Sequence, residues 1–259
     1  MHKPITALLL AIATPATLFA AAPAQADAAA SFREGNWAAV VKEGRAEATA
    51  ASLVLAGRAQ LWQAGYETRD KARAMALIMA AEKDFDAALA KAPSNPEAQV
   101  QKAVAIGYRA KLTKSAGLGK DARDRFVAVR TAHPEMALAW AAVAGWHGGA
   151  IAALGNFMGG AVLGAKAGEV ETGFVKALRL DPQNPSHRTY YAMTLLDMNK
   201  KNAAKAAAAL EGVGQLPARD AFEARLRAQG QQLSVALRTG DATAAQALAR
   251  KLAAFSTLG

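Results

Sequence analysis

An all-α fold follows from three observations. Alanine, the best helix former, supplies 69 of the 259 residues. β-branched residues are few, and no stretch alternates apolar and polar residues as a half-buried strand does. Apolar positions instead recur at helical spacing, and proline or a cap residue stands at each interruption. Apolar residues make up 53% of the chain and charged residues 20%, which excludes a disordered polyelectrolyte. Cysteine is absent, so disulfides, thiolate metal sites and thiol catalysis are excluded together.

From the N-terminus, Lys3, an apolar run from Ile5 to Ala22 and then Ala24-Gln25-Ala26 have the order of a secretory signal. Cleavage is expected after Ala26, so residues 1–26 form a cleaved signal peptide and Asp27 begins the mature protein. The location expected is the periplasm. The full chain carries 31 bases and 21 acids, and loss of Lys3 leaves a mature charge of +9.

The mature chain predicts helices over 36–47, 49–65, 68–91, 96–113, 119–132, 136–147, 149–164, 167–180, 186–198, 201–212, 218–238 and 242–255. Three segments align without gaps: 81–93, 122–134 and 170–182. Each places a phenylalanine (Phe85, Phe126, Phe174) eight residues before a proline (Pro93, Pro134, Pro182), with Ala88, Val129 or Ala177 three residues after the ring. A helix that buries the ring can be approached by a neighbour over the small residue one turn on, and proline then ends it. A new amphipathic helix starts after each: at Pro96, at Ala137 and at Pro185, proline being tolerated in a first turn.

This pattern resembles the tetratricopeptide repeat (TPR), a series of stacked antiparallel helix pairs. "KALRLDPQNP" and "AALAKAPSNPEA" look like its repeat junctions, and Trp140, six residues after Pro134, falls where a first-helix tryptophan sits. Asn199-Lys200 and Gly240-Asp241 look like turns within a pair. Spacings of 41 and 48 residues between the prolines exceed the family period of about 34. The helices are therefore long or carry inserts, and one right-handed superhelical or compact domain over residues 27–259 is expected. The irregular repeats with a glycine- and tryptophan-marked centre are also similar to the periplasmic T-component of TRAP transporters.

The TPR resemblance implies a concave surface lined by first helices, with Val104, Tyr108, Gly145, Gly148, Thr189, Met193 and Asp197 facing it. A protein or peptide would lie there. The expected function is that of an exported, non-enzymatic scaffold in the cell envelope. The alternative is a solute- or lipid-binding component related to TRAP transport, with an apolar pocket near Trp140, Trp146, His147 and Phe157.

Residues Met136 to Ala165 carry no formal charge, and eight glycines lie between Gly145 and Gly168. Three readings fit: a membrane span, a close-packed hairpin in which glycine admits a neighbouring backbone, or the lining of an apolar pocket with few polar groups. Between Gln99 and Thr131 there are eight bases and two acids, which fit either solvated helix faces or a surface for an anionic envelope component. Nucleic acid is not expected, because export is expected and no interleaving of aromatic and basic residues resembles a base-stacking platform.

Catalytic and metal motifs are missing. His133, His147 and His187 share no i, i+4 spacing and no HExxH is present. Gly117-Leu-Gly119 lacks phosphate-loop spacing, and Asp84 and Asp86 fall on different helix faces. No enzyme, cofactor or metal is expected.

Overall fold

The computed structural model describes residues 27–258. The expected signal peptide lies outside the described residues. Twelve α-helices, and no strand among the described residues, make up the fold. They are α1 (Ala28–Glu34), α2 (Trp37–Glu47), α3 (Ala50–Trp62), α4 (Lys71–Lys91), α5 (Pro96–Thr113) and α6 (Ala116–Ala132). Then come α7 (Ala137–Met158), α8 (Ala167–Leu180), α9 (Pro185–Met198), α10 (Ala203–Ala209), α11 (Ala221–Arg238) and α12 (Ala242–Leu252).

Short polar side chains start most of these helices by accepting a first-turn N–H, which satisfies a donor the helix leaves orphaned. Asp27, Asn36, Asp70, Asn95, Ser115, Asn184, Asp220 and Asp241 all do so. Thr49 and Ser52 cap each other at the start of α3. The three proline junctions share one geometry. Ala92, His133 and Asp181, each before a proline, sit at φ −139°, −131° and −136°, because the proline ring excludes the helical region there. Each donates its N–H to the carbonyl four residues back, and its own carbonyl accepts from the residue three ahead.

The rings these junctions follow are buried: Phe85, Phe126 and Phe174 are 0%, 5% and 1% exposed. Ala88, Val129 and Ala177 are buried beneath them. Small residues set the helix spacing. The Phe85 ring lies against the Gly57 backbone, and Gly173 packs on Ala144 and the Trp140 carbonyl so closely that a Cβ there would be 2.8 and 2.9 Å from them. His147 opposite Lys166 and Ala144 opposite Gly173 fix α7 and α8 as an antiparallel pair.

The array curls until its ends meet. Trp62 of α3 packs edge-on against Phe222 of α11 at 5.3 Å, with Arg58 between Phe32 and Phe222. Across the interior the Tyr66 and Tyr190 hydroxyls lie 3.4 Å apart. The last residues fill the space enclosed. The Phe255 N–H donates to the Gly65 carbonyl at 2.7 Å, its ring lies edge-on to Tyr108 at 4.7 Å, and Thr257 donates to the Thr68 carbonyl. Burial raises the pKa of Tyr66, Tyr108 and Tyr190 above the ordinary tyrosine value, so all three are neutral phenols.

Two elements differ from the sequence expectation. Helix α1 is too short for periodicity to mark it. The expected break between 136–147 and 149–164 is absent, because Gly148 and Gly149 keep helical geometry, with Gly148 packed against Thr194 and Met198; the helix is interrupted instead at Gly155.

Candidate functional site

The charge-free stretch Met136–Ala165 divides into a buried half and a projecting half. Ala139, Ala141, Val143, Ala144, His147, Gly148, Ala150 and Ile151 of α7 lie in the core. Beyond Ile151 the helix leaves it, and Ala153 to Met158 are six consecutive exposed residues. Leu154 is 44%, Phe157 83% and Met158 48% exposed. Gly155, at φ +77° and ψ 162°, breaks the helix in a conformation that an L side chain resists. The chain returns through a wide turn, Gly159–Leu163, which ends at Gly164 with φ +74°. Gly159 rests on the Ala150 carbonyl and the Ile151 backbone, and Ala165 donates its N–H to the Gly159 carbonyl. The result is an apolar lobe folded back on its own helix.

Side chains from α6 hold the base of the lobe. Arg123 donates to the Leu163 carbonyl at 2.6 Å, and its guanidinium lies 5.6 Å from the Trp146 ring centre. Trp146 in turn donates its indole N–H to the Gly119 carbonyl. On the other side Met198 of α9 packs on Ala150, Ile151 and Ala165.

A cleft of about 410 Å³ opens beside the lobe, lined by Arg123, Asp124, Val127, Arg130, His147, Gly164, Lys166 and Glu169. His147 is 5% exposed, and its Nδ1 accepts the Lys166 backbone N–H at 3.1 Å, so its proton is on Nε2. Burial lowers its pKa. Arg130, Arg123 and Lys166 lower it further, against an opposing pull from Glu169. Arg130 donates to Glu169 at 2.8 Å, and that bond holds the Glu169 carboxyl below the usual range. Both arginines are thus held, Arg123 by the lobe and Asp124 and Arg130 by Glu169. The cleft thus presents one buried imidazole among two arginines, a lysine and two carboxylates. Among the described residues no three His, Asp or Glu side chains gather as metal ligands would.

The residues expected on an open concave surface pack against several neighbouring elements, the C-terminal segment among them. Tyr108 lies under Phe255. Thr189 is fully buried and donates to the Leu226 carbonyl. Met193 is buried, and Asp197 accepts from Arg250 of α12 at 2.8 Å. Val104 packs between two apolar clusters, Gly145 lies near the Phe174 ring, and Gly148 meets the Thr194 side chain with no room for a Cβ. Thr189, Met193 and Gly148 are buried and do not line an open groove, whereas Val104, Tyr108, Gly145 and Asp197 stay partly exposed.

The expected apolar pocket from Trp140 to Phe157 is corrected too. Trp140 donates to the Pro134 carbonyl and lies under Arg130, whereas Phe157 is 83% exposed. About four turns of helix, from Trp140 to Leu154, and then the break at Gly155 separate them. Trp146 and His147 do meet, edge-on at 5.0 Å. The basic excess of 99–131 is largely engaged, since Lys102, Arg109, Arg123, Arg125 and Arg130 all pair with carboxylates.

Sequence reasoning missed the role of Ala253–Leu258, for which the apolar run around Phe255 was the available signal. It also missed the lobe as a projecting element, although the charge-free stretch marked its position. No family model matches the chain, and no curated protein is detectably similar to it.

Proposed function

We propose that the protein is a non-enzymatic docking scaffold of the cell envelope, a tetratricopeptide-like array whose binding face is the lobe between α7 and α8. One observation carries this reading: six consecutive exposed, uncharged residues, with Phe157 at their tip, project from a frame that otherwise buries its large rings. An exposed apolar patch on a folded chain marks a contact surface. Phe255 and its neighbours pack against Tyr108 and Gly65, where an open helical repeat would have its groove, so the lobe is the face that an envelope component would engage. Export, expected from residues 1–26, would place that contact in the periplasm.

The test is a photoreactive amino acid at Phe157 in living cells, with the same probe at Val235, an exposed apolar residue of α11, as control. Crosslinks to an envelope component from position 157 well above those from 235 support the reading. Equal yields from both positions refute it.

A second reading rests on the cleft. His147 Nε2 has no hydrogen-bond partner among the described residues, and the space of about 410 Å³ suits a small ligand. Bound solute would link the chain to TRAP-like solute handling. Native mass spectrometry of protein purified from its own periplasm would then show an added mass that a His147→Phe variant loses.

A further inference from the structure

The lobe does not stand alone at its end of the molecule. Because the helices alternate in direction, the α5–α6, α7–α8 and α9–α10 connections emerge on the same side. The contacts agree: Gly119 at the start of α6 packs near Leu163, and Met198 at the end of α9 packs on the cluster of Ala150, Ile151 and Ala165. These neighbouring connections bring lysines to the base of the lobe. Lys114 lies in the α5–α6 connection and Lys120 beside Gly119 at the start of α6, Lys166 follows the lobe directly, and Lys200 and Lys201 stand just past Met198. All five are exposed. Among the described residues, the lysine–carboxylate pairs are Lys102–Asp86 and Lys205–Glu171, so none of these five is neutralised by a carboxylate. Lys200 donates to the Thr243 hydroxyl, an uncharged partner. The nearby acids are engaged elsewhere: Asp121 with Arg125, Asp124 with Arg123, Glu169 with Arg130 and Asp197 with Arg250. The lobe itself contains no acid or base from Ala153 to Ala165.

From this arrangement we infer that the lobe is a membrane-docking element: Leu154, Phe157 and Met158 enter the interfacial layer of a bilayer rich in anionic lipid, while Lys114, Lys120, Lys166, Lys200 and Lys201 meet its headgroups. An apolar tip surrounded by unpaired cations complements such a surface, which is apolar inside and negative outside. The length of the lobe sets the mode of attachment. Ala137–Leu163 as a whole is long and apolar enough to cross a membrane, but its first half is packed in the core. The free part, from Ala153 to Leu163, falls short of the roughly 20 residues a helical span needs. Gly155 breaks even that part. The lobe therefore dips into the surface, to a depth of about 5–10 Å. This inference rests on the lobe being the binding face and names its occupant.

The experiment is co-sedimentation of the mature chain with vesicles of pure phosphatidylcholine and of phosphatidylcholine containing roughly one-third phosphatidylglycerol, at low and high salt. Binding to the anionic vesicles, weakened by salt, is expected. The Leu154→Ser, Phe157→Ser double variant should bind about tenfold less or worse, and each of Lys200→Gln and Lys201→Gln about fivefold less at low salt. All four changed side chains are exposed, and circular dichroism confirms that the variants are folded. No binding to anionic vesicles, or binding that the double serine variant leaves unchanged, overturns the inference. If position 157 crosslinks to an envelope protein while vesicles are ignored, the lipid assignment falls and the docking face stands. If it crosslinks to nothing and vesicles are ignored, both fall.

Discussion

Replacing the junction phenylalanines by alanine probes the frame that carries the lobe. Phe85, Phe126 and Phe174 lie in three separate apolar clusters, so each reports on one helix pair. Phenylalanine-to-alanine changes in a core cost about 3–5 kcal/mol, through lost transfer energy and the cavity left behind. The structure ranks the three. Phe174, 1% exposed, also stacks on Tyr191 at 5.0 Å, and such a pair adds about 0.5–1.5 kcal/mol. Phe85 is fully buried against Gly57, whose backbone cannot close the gap. Phe126 is 5% exposed and sits at the low end. A chain of this size shifts by about 2–4 °C per kcal/mol, which gives losses in Tm of about 6–20 °C. Urea unfolding, with m unchanged, measures each cost directly. Because the three sites lie in separate clusters, a double variant should lose about the sum of the two single costs, about 6–10 kcal/mol against a domain stability of about 5–15 kcal/mol. A cost below about 1 kcal/mol at any one of the three would refute the claim that each pair is built on its buried ring.

Three further outcomes follow from the packing. Gly173→Ala should lower stability by about 1–3 kcal/mol, because its Cβ would press on the Trp140 carbonyl, whereas Gly149→Ala, with open space around it, should be neutral or stabilising by up to about 1 kcal/mol in the same melts. Ending the chain after Leu252 removes Phe255 from Tyr108 and Thr257 from Thr68; it should cost about 2–3 kcal/mol and create dye-binding apolar surface, and an unchanged Tm would contradict the filled interior. Burial holds His147 and His187 below their ordinary pKa of 6.5, so the unfolded chain takes up protons where the folded chain does not. Stability should therefore fall as pH drops through 6.5 and level off below the folded values, and a His147→Gln, His187→Gln variant should show a flatter Tm between about pH 8 and pH 5.

The helices were legible because their boundaries are written in local chemistry. Asn95-Pro96 and Asn184-Pro185 start helices wherever they occur, and Pro93, Pro134 and Pro182 force the residue before them out of the helical region. The buried rings were legible because spacing alone puts Phe and the small residue three positions on along one face. What stayed hidden was long-range. Nothing near Tyr108 in the sequence says that Phe255 will cover it, since the contact joins residues far apart in the chain and depends on how far the array curls. The same holds for Asp197 and Arg250. Phe157 was legible as apolar but not as exposed. The helix that bears it is uniformly uncharged, so no polar face reveals where the core ends, and only the break at Gly155 and the return through Gly164 place it outside.

The chain has no cysteine, so a single Phe157→Cys substitution can carry an environment-sensitive fluorophore without competing thiols. Added to envelope fragments, a probe at 157 should shift to the blue and gain intensity, while the same probe at Val235 should not change. An unchanged spectrum at 157, or an equal response at 235, would contradict the claim that this lobe is the face by which the protein docks.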